Sequence, residues 1–308
     1  MPLDATARVL IDAMEKTFPP LDPTLSGTEM RALVEQAGAT MGRGGPPEPV
    51  GDVSERTVPG PLGEIPVRIY RPVGEAVATI VFFHGGGFVL CDLDSHDGIC
   101  RALCNATPAV VIAVHYRRAP ESRYPAAVED CYAVARWAEQ AREELALPAK
   151  LAVVGDSAGG NLAASVALMA RDRGAPALEA QVLVYPMLDS RGDTPSHRET
   201  GDAYYLRHEE VMYYWGQYVE HPAELTEPYA SPTFAADLAG LPPALVATAE
   251  YDPLRDEGEE YADRLAAAGV LTRKHRYEGM FHSFFTFLGV LPAAAELRDE
   301  IAAFLRAS

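Results

Sequence analysis

Positive charge is scarce in this chain. Its 26 lysines and arginines stand against 44 aspartates and glutamates, a formal net charge of −18 at neutral pH. That balance repels phosphate backbones and anionic headgroups, so neither nucleic acid nor an anionic membrane is an expected partner. Long apolar runs are missing too, and no stretch approaches the ~20 residues that span a bilayer. The opening Met-Pro-Leu-Asp-Ala-Thr-Ala-Arg has no basic segment followed by an apolar one. No signal peptide is therefore expected, and a cytoplasmic location is. Cysteine is sparse: Cys91, Cys100, Cys104 and Cys131 lie in one third of the chain without a Cys-x-x-Cys pair. Free thiols are expected in preference to disulfides or zinc. There is no internal repeat and no low-complexity segment, and no residue pattern calls for a metal or a cofactor.

The 308 residues suffice for one large α/β domain or two ordinary ones. Residues 1–44 read as two helices. Val9, Leu10, Ala13, Met14 and Phe18 share a face that ends at Pro19-Pro20, and Ser26-x-x-Glu29 is a capping box ahead of Met30, Leu33, Val34 and Ala37. Gly42-Arg-Gly-Gly-Pro-Pro-Glu-Pro has the composition of a linker. Strands are expected at 53–58 and 65–71 as a hairpin, then at 79–83, 109–114, 151–154, 180–185, 244–249 and 271–277. Helices separate most of them, including one from about 125 to 145, and the chain closes on a helix at 293–305. Such alternation predicts a mainly parallel sheet covered on both faces. The interval between 185 and 244 is far longer than a crossover needs. Tyr204, Tyr205, Tyr213, Tyr214, Trp215 and Tyr218 crowd within it, as the packing of an inserted helix, as a lid with an aromatic wall, or as both. The expected division is an N-terminal helical cap (1–44), a catalytic domain (45–187 with 226–308) and an inserted cap (188–225).

Chemistry concentrates around Gly155-x-Ser157-x-Gly159, between an apolar strand and a helix carrying Leu162, Val166 and Met169. A serine on a sharp strand-to-helix turn needs neighbours without Cβ atoms, and the helix N-terminus behind it favours a developing oxyanion. A hydroxyl nucleophile also needs a base oriented by a third group. Of eight histidines, His282 is best placed, in a loop after the last strand; His84 also ends a strand but precedes the serine. His96, His115, His197, His208, His221 and His275 read as surface, cap or strand residues. Asp252 follows the 244–249 strand and is held by Pro253; Glu250 and Asp256 are its rivals, with Asp256 expected to cap the next helix. The order Ser157, Asp252, His282 is that of an α/β-hydrolase. Two donors from Gly85, Gly86 and Gly87, with the N–H of Ala158, are the expected oxyanion hole. No Lys-Ser/Thr pair follows those glycines, which excludes a phosphate loop. Asp92-x-Asp94-x-His96-Asp97 fails as a calcium loop because Leu103 stands where the bidentate glutamate belongs. Phe88, Tyr185, Tyr204, Tyr205, Tyr214 and Trp215 are the expected substrate pocket.

His84-Gly-Gly-Gly-Phe, Gly155-Asp-Ser-Ala-Gly-Gly160, Asp252-Pro-Leu-Arg-Asp-Glu-Gly258 and His282-Ser-Phe together resemble the bacterial hormone-sensitive-lipase family of carboxylesterases. The resemblance spans nearly the whole chain. It implies an α/β-hydrolase fold with a mostly parallel eight-stranded sheet, helices on both faces and a helical cap. Ser157 would be nucleophile, His282 base and Asp252 acid, with His84 bracing the oxyanion loop. Ser283 stands where the family usually has glycine, and His115-Tyr-Arg-Arg-Ala-Pro-Glu121 where it usually has Asp-Tyr-Arg-Leu-Ala-Pro-Glu. The expected activity is hydrolysis of short- to medium-chain carboxylic esters through an acyl-serine, with no cofactor. The expected partner is a small-molecule ester, and a homodimer is compatible with the sequence. A binding protein on the same fold and an amide or peptide hydrolase are the alternatives. Receptors that resemble the family replace the histidine that is present here as His282.

Overall fold

Runs of branched apolar residues set the architecture. A computed structural model describes residues 2–41, 47–201 and 203–308. Two helices come first, α1 (Ala5–Thr17) and α2 (Gly27–Met41). The Asp4 carboxylate caps α1 by accepting from the N–H groups of Thr6 and Ala7. Ser26 and Glu29 form the reciprocal box expected before α2, with Ser26 N–H donating to Glu29 at 2.8 Å. The expected linker, and the boundary after residue 44, reach into 42–46, outside the described residues. Next come β1 (Asp52–Gly60), β2 (Gly63–Arg71), β3 (Ala78–Phe83), α3 (Asp97–Ala106), β4 (Ala109–Val114), α4 (Ala126–Gln140), β5 (Leu151–Asp156) and α5 (Ala158–Arg173). The remainder holds β6 (Ala180–Val184), α6 (Pro195–Thr200), α7 (His208–Tyr218), β7 (Ala244–Tyr251), α8 (Arg255–Ala267), β8 (Thr272–Phe281) and α9 (Pro292–Ala307).

The strands make one eight-stranded sheet in the order β1-β2-β4-β3-β5-β6-β7-β8. β2 runs antiparallel to β1 and β4, and the other neighbours are parallel, as the alternation predicts. Every residue of β3, β4, β5 and β6 is buried, the pattern of strands covered on both faces. Alternate residues choose the face. Val81, Phe83, Ile112 and Val153 pack with α4, α5 and α8, while Ile80, Phe82, Val111 and Val154 pack with α1, α3 and α9. All four cysteines are free thiols. No helix among the described residues is long and apolar enough to cross a membrane.

Two features of this winding position the site. The chain moves outward from β3 to β4, then returns to lay β5 against the other side of β3. The C-terminal ends of β3 and β5 thus open on a topological switch point, where α/β sheets place their ligands. The last strand, meanwhile, is longer than its sequence suggests. The expected strand ends at residue 277, with 278–284 as a loop, yet β8 continues to Phe281 and pairs Phe281 with Tyr251 after a register shift between Ala249 and Tyr251, where β8 carries the extra residues. Gly279, at φ +71°, donates its N–H to Glu250 (2.6 Å), and its carbonyl accepts from Asp4 N–H (3.0 Å). The strand thereby runs straight into His282. The helix expected from 125 to 145 stops at Gln140, and turns fill the remainder.

Candidate active site

Ser157 sits between β5 and α5 at φ 56° and ψ −119°, a backbone conformation that costs energy unless its surroundings enforce it. They do: its N–H donates to the Val184 carbonyl, and its own carbonyl accepts from the N–H groups of Asn161 and Met187. The flanking glycines leave no alternative. A Cβ on Gly155 would lie 2.1 Å from the Gly159 carbonyl oxygen, and one on Gly159 would lie 1.9 Å from that of Phe83. Glycine at both places lets α5 begin directly against the end of β3.

His282 arrives from the end of β8, with Nε2 2.9 Å from Ser157 Oγ and Nδ1 2.7 Å from Asp252 Oδ2. Asp252 is fully buried, and its other oxygen accepts from Leu254 N–H at 2.9 Å. Both carboxylate oxygens are thus committed, which aims the one facing the imidazole. Its two rivals do other work. Glu250 holds Gly279. Asp256 is not the expected helix cap, because α8 starts one residue earlier, after Leu254. Its carboxylate instead accepts from Ser196 N–H at 2.8 Å, tying α6 to α8. Ser283 takes up φ 70°, the left-handed region in which glycine is unstrained, so this chain carries a side chain where the family preference for glycine has a steric reason.

The three loop glycines after β3 are not equivalent. Gly85 donates its N–H to Asp156 Oδ1 at 3.0 Å and is therefore unavailable as an oxyanion donor. Gly86 and Gly87 line the cavity over Ser157, and Ala158 opens α5, where first-turn N–H groups lack helical partners. His84 is buried, with Nδ1 2.8 Å from the Gly85 carbonyl and its ring stacked on Tyr116 at 4.3 Å. Burial lowers its pKa to about 3, so it stands neutral behind the loop.

His96 has a place that its sequence context does not reveal. It does stand at the N-cap of α3, but its ring turns inward, with Nε2 3.3 Å from Asp156 and Nδ1 3.0 Å from Ser95 Oγ. Burial pushes the Asp156 carboxyl up. His96 and the Gly85 N–H outweigh that and hold it below the ordinary carboxylate range. Asp156 is legible beside Ser157; its partner sixty residues earlier is not.

A cavity of about 470 Å³ opens over Ser157 and His282. Of the six expected pocket residues, Tyr205 and Tyr214 line it, and the other four do not. Phe88 is fully buried and stacks on Tyr218 at 3.7 Å, with Trp215 beside it at 5.8 Å. Tyr185 packs between His282 and Phe284, and Tyr204 lies against Tyr251. The helix geometry explains the split, since Tyr214 and Trp215 are successive residues of α7 and cannot face the same way. Met14, Phe18, Met30 and Val34 from the N-terminal segment complete the apolar wall. Glu15, Arg207, Glu209 and Glu210 add charged groups to the lining, beside Asp156. Burial raises the Glu210 carboxyl above its ordinary range, and its Oε2 accepts from Arg207 N–H.

Comparison with known proteins gives this geometry a context. Residues 80–286 match the family described as alpha/beta hydrolase fold. The carboxylic ester hydrolase LipN of Mycobacterium tuberculosis is 43% identical over 264 residues, 83% of this chain and 70% of LipN. The carboxylesterase NlhH of the same organism is 40% identical over 305 residues, 96% of this chain and 92% of NlhH. Among solved structures, a hyperthermophilic esterase from the archaeon Pyrobaculum calidifontis aligns with a TM-score of 0.92 at 42% identity, over 100% of this chain and 99% of its own.

Proposed function

This chain belongs to the alpha/beta hydrolase fold family, among its bacterial hormone-sensitive-lipase-like carboxylesterases, and we propose that it hydrolyses short- to medium-chain acyl esters through Ser157, His282 and Asp252. The observation that carries this reading is the unbroken chain of contacts from Asp252 Oδ2 through both ring nitrogens of His282 to Ser157 Oγ, at 2.7 and 2.9 Å. Asp252 fixes the tautomer with its proton on Nδ1, which leaves Nε2 free to accept the serine proton as Oγ attacks the ester carbonyl. The carbonyl oxygen becomes an anion and is received by the N–H groups of Gly86, Gly87 and Ala158. Collapse of the tetrahedral species breaks the C–O bond, and His282 returns its proton to the departing alcohol. Water, deprotonated by the same nitrogen, then attacks the acyl-serine and releases the acid.

We take residues 1–44 and 188–225 as a two-part cap. The N-terminal segment and α7 meet through Gly27 N–H, which donates to Gln217, and through Tyr213 OH, which donates to the Leu25 carbonyl. A cavity walled by both parts rewards each buried methylene with about 0.8 kcal/mol until it is full. Beyond that limit an acyl chain must clash or stay in water, so efficiency should peak at short to medium acyl length. The test is Ser157→Ala, assayed on a panel of p-nitrophenyl esters of increasing acyl length. Turnover should fall about 10⁴-fold or more on every member. A surviving tenth of the activity, or efficient cleavage of long-chain triacylglycerol by the unmodified protein, would contradict the proposal.

A further inference from the structure

Arg31, on α2, reaches out of the N-terminal segment and commits its guanidinium to the catalytic body. Nε donates to the Val89 carbonyl at 2.6 Å and Nη2 to the Ala119 carbonyl at 2.7 Å. Nη1 and Nη2 also meet the two oxygens of Glu121 at 2.9 and 2.8 Å. An ion pair to a half-exposed glutamate would by itself be a weak surface contact. The two carbonyls are the more informative partners, because both belong to residues bonded into the loop that carries Gly86 and Gly87. Val89 N–H and Leu90 N–H donate back to the Gly86 carbonyl at 3.0 and 2.7 Å, and Ala119 N–H donates to the Phe88 carbonyl at 2.9 Å.

That loop needs support from outside. Gly86 and Gly87 have φ +109° and +60°, and Phe88 and Cys91, which have side chains, sit at 63° and 64°. Non-glycine residues in this region persist only where surrounding contacts over-determine them. On the cavity side, the Tyr214 ring of α7 presses on Gly87, so that a Cβ there would lie 2.3 Å from Tyr214 Cγ. On the outer side Arg31 is one brace, and Arg118, which donates to the Cys91 carbonyl, is another.

We propose that Arg31 is a positioning residue for the oxyanion turn, a guanidinium carried by the cap that aims the N–H groups of Gly86 and Gly87 through the Val89 and Ala119 carbonyls. The cap is then part of the catalytic machinery as well as a wall around the substrate. This rests on the assignment of Gly86 and Gly87 as oxyanion donors.

Three variants separate this role from plain stability: Arg31→Ala, Arg31→Lys and Glu121→Gln. Each is assayed for kcat and KM on a short-chain ester and for binding of a matched pair of ketones. A trifluoromethyl ketone takes the Ser157 oxygen onto its carbonyl carbon. The serine proton passes to His282, and the carbonyl oxygen becomes an anion in the hole. The corresponding methyl ketone binds without forming that adduct. Arg31→Ala should lower kcat about 10- to 100-fold with KM nearly unchanged, and should weaken the trifluoromethyl ketone by the same factor. Methyl ketone affinity should not move. Arg31→Lys keeps the charge opposite Glu121 but cannot bridge both carbonyls, so it should lose kcat as well; it carries the same readouts should Arg31→Ala fail to fold. Glu121→Gln breaks the ion pair and leaves the carbonyl contacts, so it should lower the melting temperature and spare kcat. The proposal is overturned if the Arg31 variants keep kcat within about twofold, or lose both ketones equally. Ser157→Ala, run alongside, tells the two readings apart: activity that survives it sinks the triad assignment, whereas activity that depends on Ser157 and ignores Arg31 sinks only the brace.

Discussion

Replacing Gly159 by alanine adds one methyl group at the tightest point of the site. Its Cβ would stand 1.9 Å from the Phe83 carbonyl oxygen, 2.6 Å from the Phe83 carbonyl carbon and 2.7 Å from the His84 carbonyl oxygen. Ordinary contact begins at 3.4 Å, so the first of these distances is short by about 1.5 Å. All three obstacles are backbone, and none can rotate away. The first turn of α5 must therefore move off the end of β3, carrying Ser157 Oγ and Ala158 N–H from their present places. A displacement on the order of 1 Å costs about 10²-fold in rate. Overpacking adds about 1–3 kcal/mol of destabilisation, or roughly 2–6 °C of melting temperature for a chain of this size. The assay is kcat/KM on p-nitrophenyl butyrate beside thermal melting by circular dichroism. Gly216→Ala is the control: it lies in α7 with nothing within 4 Å of its Cβ position, and should be neutral or stabilising by up to about 1 kcal/mol. A Gly159→Ala enzyme within threefold of the parent rate would refute the steric account of the elbow.

Asp252→Asn should lose on the order of 10⁴ in kcat by favouring the wrong histidine tautomer, and Asp256→Asn far less; the reverse ranking in steady-state kinetics would mean that the acid is misassigned. Hydrogen bonds from Arg31 lower the Glu121 carboxyl from 4.5 to about 2 in the folded protein. A depressed carboxyl contributes stability that is fully present above its ordinary value and is lost as pH falls toward the folded value. The melting-temperature gap between wild type and Glu121→Gln should accordingly be constant above about pH 5 and shrink toward pH 2; a gap that widens on acidification contradicts the sign. Tyr214→Ala should move the acyl-length optimum upward. Trp215→Ala, one residue further and away from the cavity, should lower stability by about 3–5 kcal/mol and leave the optimum in place, as a chain-length panel with parallel melts will show.

Most of the architecture is legible in the sequence, for a physical reason. A strand buried on both faces must be apolar throughout, so 79–83, 109–114, 151–154 and 180–185 announce themselves. The candidate residues Ser157, Asp252 and His282 are legible through chain order and through their positions after strands. What escaped reading depends on direction in space. Met14, Phe18, Met30 and Val34 show an apolar helix face, but the same periodicity serves a core or a cavity wall, and only packing decides which. Phe88 and Trp215 carry the aromatic signal expected of a pocket and lie in the core instead. His96 gave no local sign of meeting Asp156. The extension of β8 through Gly279 depends on pairing with Tyr251 and on the bond from Asp4, both distant in sequence.

The base of the proposed triad rides on β8, the last strand in the sheet order, while the nucleophile rides on β5 near its centre. Opening of a folded protein is graded, and elements with fewer covering neighbours separate at lower free energy than the central ones. β8 has a neighbouring strand on one side only among the described residues. Amides along its outer half should exchange with solvent sooner than those of β3 or β5. An opening that reaches residues 279–281 would withdraw His282 while Ser157 and the glycine loop stay folded. Loss of catalysis on warming then reports the fraying of one edge strand, well ahead of the cooperative melting of the domain.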